Sequence, residues 1–111
     1  MKHLILNKWG KDHKMTFHVG RYQQNGNLYI ELLSHDDGYA EPWQNLTVNT
    51  KFKCLENCAF IDTNNNGTEI IGWLIDNNLG YLTGCMTGGD FCIYPEFEFN
   101  METLMQYVEG R

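Results

Sequence analysis

Residues 15–33 read MTFHVGRYQQNGNLYIELL, and this stretch decides the fold. Met15, Phe17 and Val19 alternate with Lys14, Thr16 and His18. That period of two sets one face of a strand against a core and the other toward water. Further along comes Asn25-Gly26, the dipeptide favoured by a two-residue type I′ turn because both central residues need positive φ. A two-residue turn there pairs Val19 with Leu32, Arg21 with Ile30 and Tyr22 with Tyr29, and the apolar faces of the two arms then agree. The stretch is expected to be an antiparallel hairpin.

Outward from it, residues 2–9 place Leu4 and Leu6 on one side of a short β pattern that Gly10-Lys11-Asp12 breaks. On the other side, His35-Asp36-Asp37-Gly38 reads as a polar turn, followed by an irregular segment to Trp43. Residues 44–50 (QNLTVNT) form a further strand with Leu46 and Val48 facing one way, and 59–61 is a short apolar run. Residues 62–67 (DTNNNG) are turn chemistry, and Asn66 with Glu69 has the spacing of an N-cap and its capping partner. Ile70, Ile71, Trp73, Leu74 and Ile75 then predict a helix of about three turns, with Gly80 as its left-handed C′ residue. Residues 81–90, with Gly84, Gly88 and Gly89, read as a loop. Residues 91–99 (FCIYPEFEF) alternate again: Phe91, Ile93, Phe97 and Phe99 on one face, Cys92, Tyr94, Glu96 and Glu98 on the other. Pro95, which cannot donate to a ladder, predicts an edge or a kink there. Asn100 can cap a last helix whose Met101, Leu104, Met105 and Val108 make one apolar stripe. The expected fold is α+β, an antiparallel β-sheet meander with two helices packed on one face, as a single domain over residues 1–111.

The 111 residues carry 8 Lys+Arg against 14 Asp+Glu, a net charge of −6. That balance argues against direct binding to phosphate backbones, which takes clustered cations, and suits a basic partner. With 42% hydrophobic and 20% charged residues the chain has the composition of a folded domain. The longest apolar run near the start, 4–6, is far short of a signal or membrane segment, so a cytoplasmic protein is expected.

Four cysteines, Cys54, Cys58, Cys85 and Cys92, are spaced C-x3-C and C-x6-C. Only the first pair has zinc-knuckle spacing, so reduced thiols packed as small hydrophobes are expected, Cys92 fitting best, with no metal. Asp62, Asn64, Asn66 and Gly67 match the first half of a calcium loop, but Trp73 stands where the bidentate Glu belongs; Asx turns capping the next helix explain them better. The histidines His3, His13, His18 and His35 show no H-x3-H spacing on a helix, and only His35, beside Asp36 and Asp37, could make a small acid/base or metal cluster, for which a solvated turn is the better explanation. No hydrolase, nucleotide or zinc-protease motif is present, and no enzyme and no cofactor are expected.

The acidic side chains are the more informative set. Asp90, Glu96 and Glu98 lie on or beside the last strand, Glu102 and Glu109 on the following helix, and Asp36, Asp37 and Glu41 on the earlier loop. Sharing one side, they would steer a basic partner. The residues expected to bind it are Asp36, Asp37, Asp90, Tyr94, Glu96 and Glu98, with aromatic anchors drawn from Tyr39, Trp43 and Tyr94.

The phrases NGNLYIEL, EPWQNLTVNT, ENCAFIDTNNNG, a helix ending in NNLG, and GDFCIYPEFEF occur in this order. Together they make the chain resemble an uncharacterised family, a domain of unknown function, of short proteins on conjugative elements, plasmids and phages of Firmicutes. The resemblance rests on Asn25 to Ile30, Leu46 to Asn49, Ala59 to Asn65, Asn78 to Gly80, and Phe91, Cys92, Tyr94 and Pro95. It departs at Asp90, where that family often has Gly, and at Asn66-Gly67, which replaces a Cys-Pro-like helix start. The resemblance supplies no catalytic residues. It implies a mobile genetic element, whose small acidic accessory proteins often block host defences. The leading expectation is therefore a protein–protein interaction factor, an anti-CRISPR-like host-defence inhibitor that occupies the basic groove of a partner such as a CRISPR effector nuclease, as monomer or homodimer. The alternative is a small-ligand protein that sequesters a nucleotide signal through Trp or Tyr stacking, amides of the Gly-rich loop 83–90 and a cation among Lys51, Lys53, Arg21 and the N-terminal lysines.

Overall fold

The predicted hairpin is present, but its register differs. The structure, a computed structural model, describes residues 2–88 and 92–108. β2 (Lys11–Arg21) pairs antiparallel with β3 (Leu28–Ser34), setting Val19 against Ile30 and Phe17 against Leu32. The turn is longer than two residues: the Tyr22 amide donates to Asn27 O (2.9 Å) and the Gly26 amide to Tyr22 O (2.8 Å). Asn25 does not take positive φ there; only Gly26 does, and the Asn25 side chain accepts from the Asn27 amide (3.1 Å). The slip amounts to two residues, so every side chain keeps its face. Met15, Phe17, Leu28, Ile30 and Leu32 are all fully buried.

The two-residue type I′ geometry occurs instead at the hairpin before it. β1 (Leu4–Lys8) pairs with β2 through Lys8 opposite Lys11, leaving Trp9 (φ 56°) and Gly10 (φ 74°) as the turn. On the far side, β3 pairs with β4 (Glu41–Asn45), completing a sheet in the order β1-β2-β3-β4. The segment read as irregular up to Trp43 is thus mostly strand, held by the free edge of β3.

The stretch predicted as one strand over 44–50 is divided between two sheets at Leu46. Its amide donates to Ile30 O and its carbonyl accepts from the Asp62 amide, both at 2.9 Å. Beyond it, β5 (Thr47–Val48) joins β6 (Cys58–Ile61) in a second antiparallel sheet, ordered β5-β6-β8-β7. β7 (Gly80–Gly88) corrects the predicted loop over 81–90: its glycines are tolerated because it is an edge strand, bulged between Leu82 and Met86. Residues 89–91, including the end of that expected loop and the start of the expected last strand, lie outside the described residues. β8 (Ile93–Phe99) is interior rather than an edge, yet its pairing with β6 runs only from Glu96 to Glu98. At Pro95 it therefore faces β7 alone, where a missing donor costs no ladder bond.

The predicted three-turn helix is present but shorter, and a further short helix precedes it in the stretch 62–67 read as turn. Asp62 caps α1 (Thr63–Asn66), its Oδ1 accepting from the Asn65 amide at 3.2 Å. Gly67 (φ 83°) ends α1, and α2 (Glu69–Asp76) starts after Thr68. Asn66, expected as the N-cap, is buried and donates to Asn45 O and Asp62 O, both at 2.9 Å. The left-handed residue after α2 is Asn78 (φ 60°). Gly80 serves a close approach instead: a Cβ there would lie 2.0 Å from Glu98 O. α3 (Met101–Met105) is capped as expected, with Asn100 Oδ1 accepting from the Thr103 amide (3.3 Å). The helix then stops, and Val108 bridges in parallel to Phe17.

The architecture is thus α+β with antiparallel sheets and three short helices. The main core lies among the inner faces of both sheets, α2 and α3, and includes Phe17, Leu46, Ile61, Leu74, Phe97 and Leu104. All four residues of β6 are buried because its outer face has its own cover: Cys54, Cys58 and Phe60 pack with Val48 and Tyr94. Residues 50–54 are tied to the β2–β3 turn by Asn27, which accepts from the Cys54 amide (2.9 Å) and donates to Phe52 O (2.8 Å), and by Asn25, which donates to Thr50 O (3.0 Å).

Candidate binding surface

β1 and β4, the outer strands of the first sheet, both reach one mouth, where α1 and α2 close the third side. The result is a cleft of about 320 Å³ lined by Leu6 to Trp9, Pro42 to Gln44, Asn65, Asn66, Glu69 and Ile70. Trp9 stands at its rim, 82% exposed, with its ring 5.7 Å from that of Trp43 and tilted by 36°. Trp43 is half-buried, and the His13 ring packs 4.7 Å from it. Lys8 Nζ lies 3.0 Å from both Asn66 O and Glu69 Oε1, and 5.9 Å from the centre of the Trp9 ring. Glu69 is held below the usual carboxylate range by its own backbone amide first and then by Lys8.

Carboxylates continue this aromatic row. Asp36 Oδ2 lies 2.6 Å from His13 Nδ1, and Asp36 Oδ1 accepts from the Lys14 amide (3.3 Å). The bond to His13 holds the Asp36 carboxyl below its ordinary value. An ionised carboxylate only accepts, so His13 carries its proton on Nδ1. His13 Nε2 is buried beside Trp43 and has no hydrogen-bond partner among the described residues. Hydrogen bonding to Asp37, followed by desolvation and the charges of Asp37 and Asp36, raises the Glu41 carboxyl. Tyr39, between these residues in the chain, is 64% exposed. Asp36, Asp37 and Glu41 therefore crowd like charge next to three exposed or half-exposed aromatic rings.

The other expected acids sit elsewhere. Glu96 and Glu98 occupy the outer face of the second sheet, half-buried, beneath β7 hydroxyls: Thr83 donates to Glu96 Oε1 (2.7 Å) and Tyr81 to Glu98 Oε2 (2.6 Å). That hydrogen bond raises Tyr81. Burial, assisted by Glu96, pushes Cys54 up to about 12 and Cys58 up to about 11. Tyr94 packs against the Cys54–Cys58–Phe60 cluster and is raised first by hydrogen bonding with Cys92. Asp90 and Glu109 lie outside the described residues. The structure thus links Asp36 through His13 to Trp43 and sets Asp37 against Glu41, with Glu96, Glu98 and Tyr94 on a different sheet.

Other expectations also change. Cys92 is half-exposed and Cys85 exposed; the thiols packed as hydrophobes are Cys54 and Cys58, and all four are free. His35 pairs with Thr16, Nε2 to Oγ1 at 2.7 Å, and it is His13 that meets the carboxylate. Asp62 takes the Asx-cap role. Among the described residues no group of three or more His, Cys, Asp or Glu is placed to hold a metal ion, and no helix is long and apolar enough to cross a membrane. Sequence reasoning missed Trp9 altogether and gave Glu69 only a capping role, while Lys8 stood unsingled among the N-terminal lysines. The available signal was Trp9-Gly10 between two strand patterns, the same positive-φ chemistry that was assigned to Asn25-Gly26.

Comparison with curated proteins and with solved structures finds no match to this chain. A domain of unknown function, DUF4313, matches residues 16–111, which contain Trp43, Asp36, Asp37 and Glu41 but not β1 or Trp9. By that match, over most of its length, the chain belongs to the DUF4313 family.

Proposed function

We infer that this chain is a binding protein for a basic partner protein, engaged through the surface of Asp36, Asp37, Glu41, Tyr39, Trp43 and Trp9. The observation that carries the reading is the contact series from Asp36 through His13 and Trp43 to Trp9, which sets the carboxylate-rich segment of Asp36, Asp37 and Glu41 beside aromatic anchors. Complementary charge accelerates encounter, and exposed Trp and Tyr supply contact area at low entropic cost. The net charge of −6 supports it. The finer reading is that of a host-defence inhibitor carried by a phage or other mobile element, with a CRISPR effector or similar nuclease as the partner whose basic groove it occupies. That part rests on the sequence resemblance. The reading has the protein act in the cytoplasm, which its four unbridged thiols support. The test is affinity capture from cells with active defence systems, by the natural chain and by the Asp37→Lys/Glu41→Lys variant. Recovery of a basic nuclease that the chain inhibits, lost with the variant and at high salt, is expected. Equal recovery by both proteins contradicts the reading.

The cleft itself favours a second reading, a planar small ligand such as a nucleotide stacked on Trp9 and Trp43 near Lys8. A thermal shift with a nucleotide panel tests it, since a ligand that binds only the folded chain raises its melting temperature.

A further inference from the structure

We propose that the Trp9–Trp43 cleft is the receptor for an arginine side chain of the partner; this rests on the reading that the partner is basic. Trp9 takes φ 56° in a two-residue turn, a conformation suited to Asn, Asp or Gly and adverse to a bulky residue. Its side chain is 82% exposed, so the core does not explain the choice. A strained backbone that holds an exposed indole over a cleft is a device for contacting something outside the chain. The cleft already accepts a cation: the Lys8 ammonium rests near the Trp9 ring, its charge met by Glu69 and Asn66 O. Lys8 is met by Glu69, and Asp36 by His13 and Lys11, while Asp37 and Glu41 face each other and leave a negative field near the indoles that repels phosphate and draws in a second cation. A guanidinium is flat, weakly hydrated and stacks on indole faces, while its five donors can reach the side-chain oxygens of Asn7 and Gln44 lining the cleft. An ammonium offers the charge without the plane.

The experiment uses the full chain and two peptides of equal length and charge, an Arg-Gly repeat and a Lys-Gly repeat, titrated by calorimetry and by indole fluorescence. The Arg peptide is expected to bind about tenfold more tightly, a factor between those of an exposed and a fully desolvated cation–π contact. Trp9→Asn, which suits the turn, is expected to reduce the Arg peptide to the Lys level. Asp37→Asn/Glu41→Gln is expected to weaken both peptides alike. A preference for Arg that survives Trp9→Asn overturns the assignment. Equal binding of the two peptides, weakened by the carboxylate variant, overturns the arginine receptor but leaves the basic partner standing. If neither peptide binds, both are overturned.

Discussion

Replacing Trp9 by Asn separates what this residue does for the fold from what it does at the surface. A non-glycine residue in left-handed conformation costs roughly 1–2 kcal/mol, and Asn tolerates that region far better than Trp. Against this stand the losses. With the indole 82% exposed, truncation returns only about 40 Å² of a side chain of roughly 200 Å² to water, worth about 1 kcal/mol at ~25 cal/mol per Å². The tilted ring pair with Trp43 is worth about 0.5–1 kcal/mol more. Gain and loss cancel to within about 1 kcal/mol, a melting shift of no more than roughly 4–8 °C in a domain of this size. Urea denaturation of both proteins, with the slope checked for constancy, measures it. A loss above about 2 kcal/mol would refute the reasoning, because Trp9 would then be holding the fold together.

Asn27→Ala is expected to cost about 2–3 kcal/mol in the same assay, since it strands the buried Cys54 amide and the Phe52 carbonyl; a loss below about 0.5 kcal/mol would contradict the role given to this side chain. In the native protein a thiol reagent at pH 8 is expected to modify Cys85 first and Cys92 more slowly, with Cys54 and Cys58, at about 12 and about 11, reacting only on unfolding; prompt labelling of more than two thiols would contradict this. Because the folded state lowers the Asp36 carboxyl, that group's contribution to stability is present above the ordinary carboxylate pKa of about 4 and is lost as pH falls through the lowered value. Asp36→Asn should therefore flatten the acid limb of the melting temperature against pH, and an unchanged limb would show that the His13 contact carries no such linkage.

The faces of β2 and β3 were legible because burial repeats every second residue, and a slip of two leaves that pattern intact. Register was not, since it depends on whether Asn25 takes positive φ or uses its side chain to accept from Asn27. The break at Leu46 escaped local reading altogether: what divides 41–48 between two sheets is hydrogen bonding to Ile30 and Asp62, distant in sequence. β7 was hidden by its glycines, whose turn propensity is overridden by pairing along β8. At the surface, the acidity of Asp36, Asp37 and Glu41 was readable, while the link from Asp36 to Trp43 and Trp9 was made through the His13 ring. The outward direction of Glu96 and Glu98 was readable too, but Thr83 and Tyr81, which engage their carboxylates, lay in a stretch read as loop. The phrases that carry the family resemblance turn out to hold joints of the fold: Asn25 and Asn27 fasten the segment over β6, Thr47 accepts from the Ile30 amide, and Asp62 caps α1.

The central claim is that the acidic–aromatic mouth, and not the outer face of the second sheet, meets the partner. Its most direct test is a chemical-shift map of the isotope-labelled chain during titration with the Arg-Gly peptide. Shifts are expected to concentrate on the Trp9 and Trp43 indole N–H signals and on the amides of the non-proline residues in 36–43. Shifts concentrated instead on Tyr81, Thr83, Tyr94, Glu96 and Glu98 would contradict it.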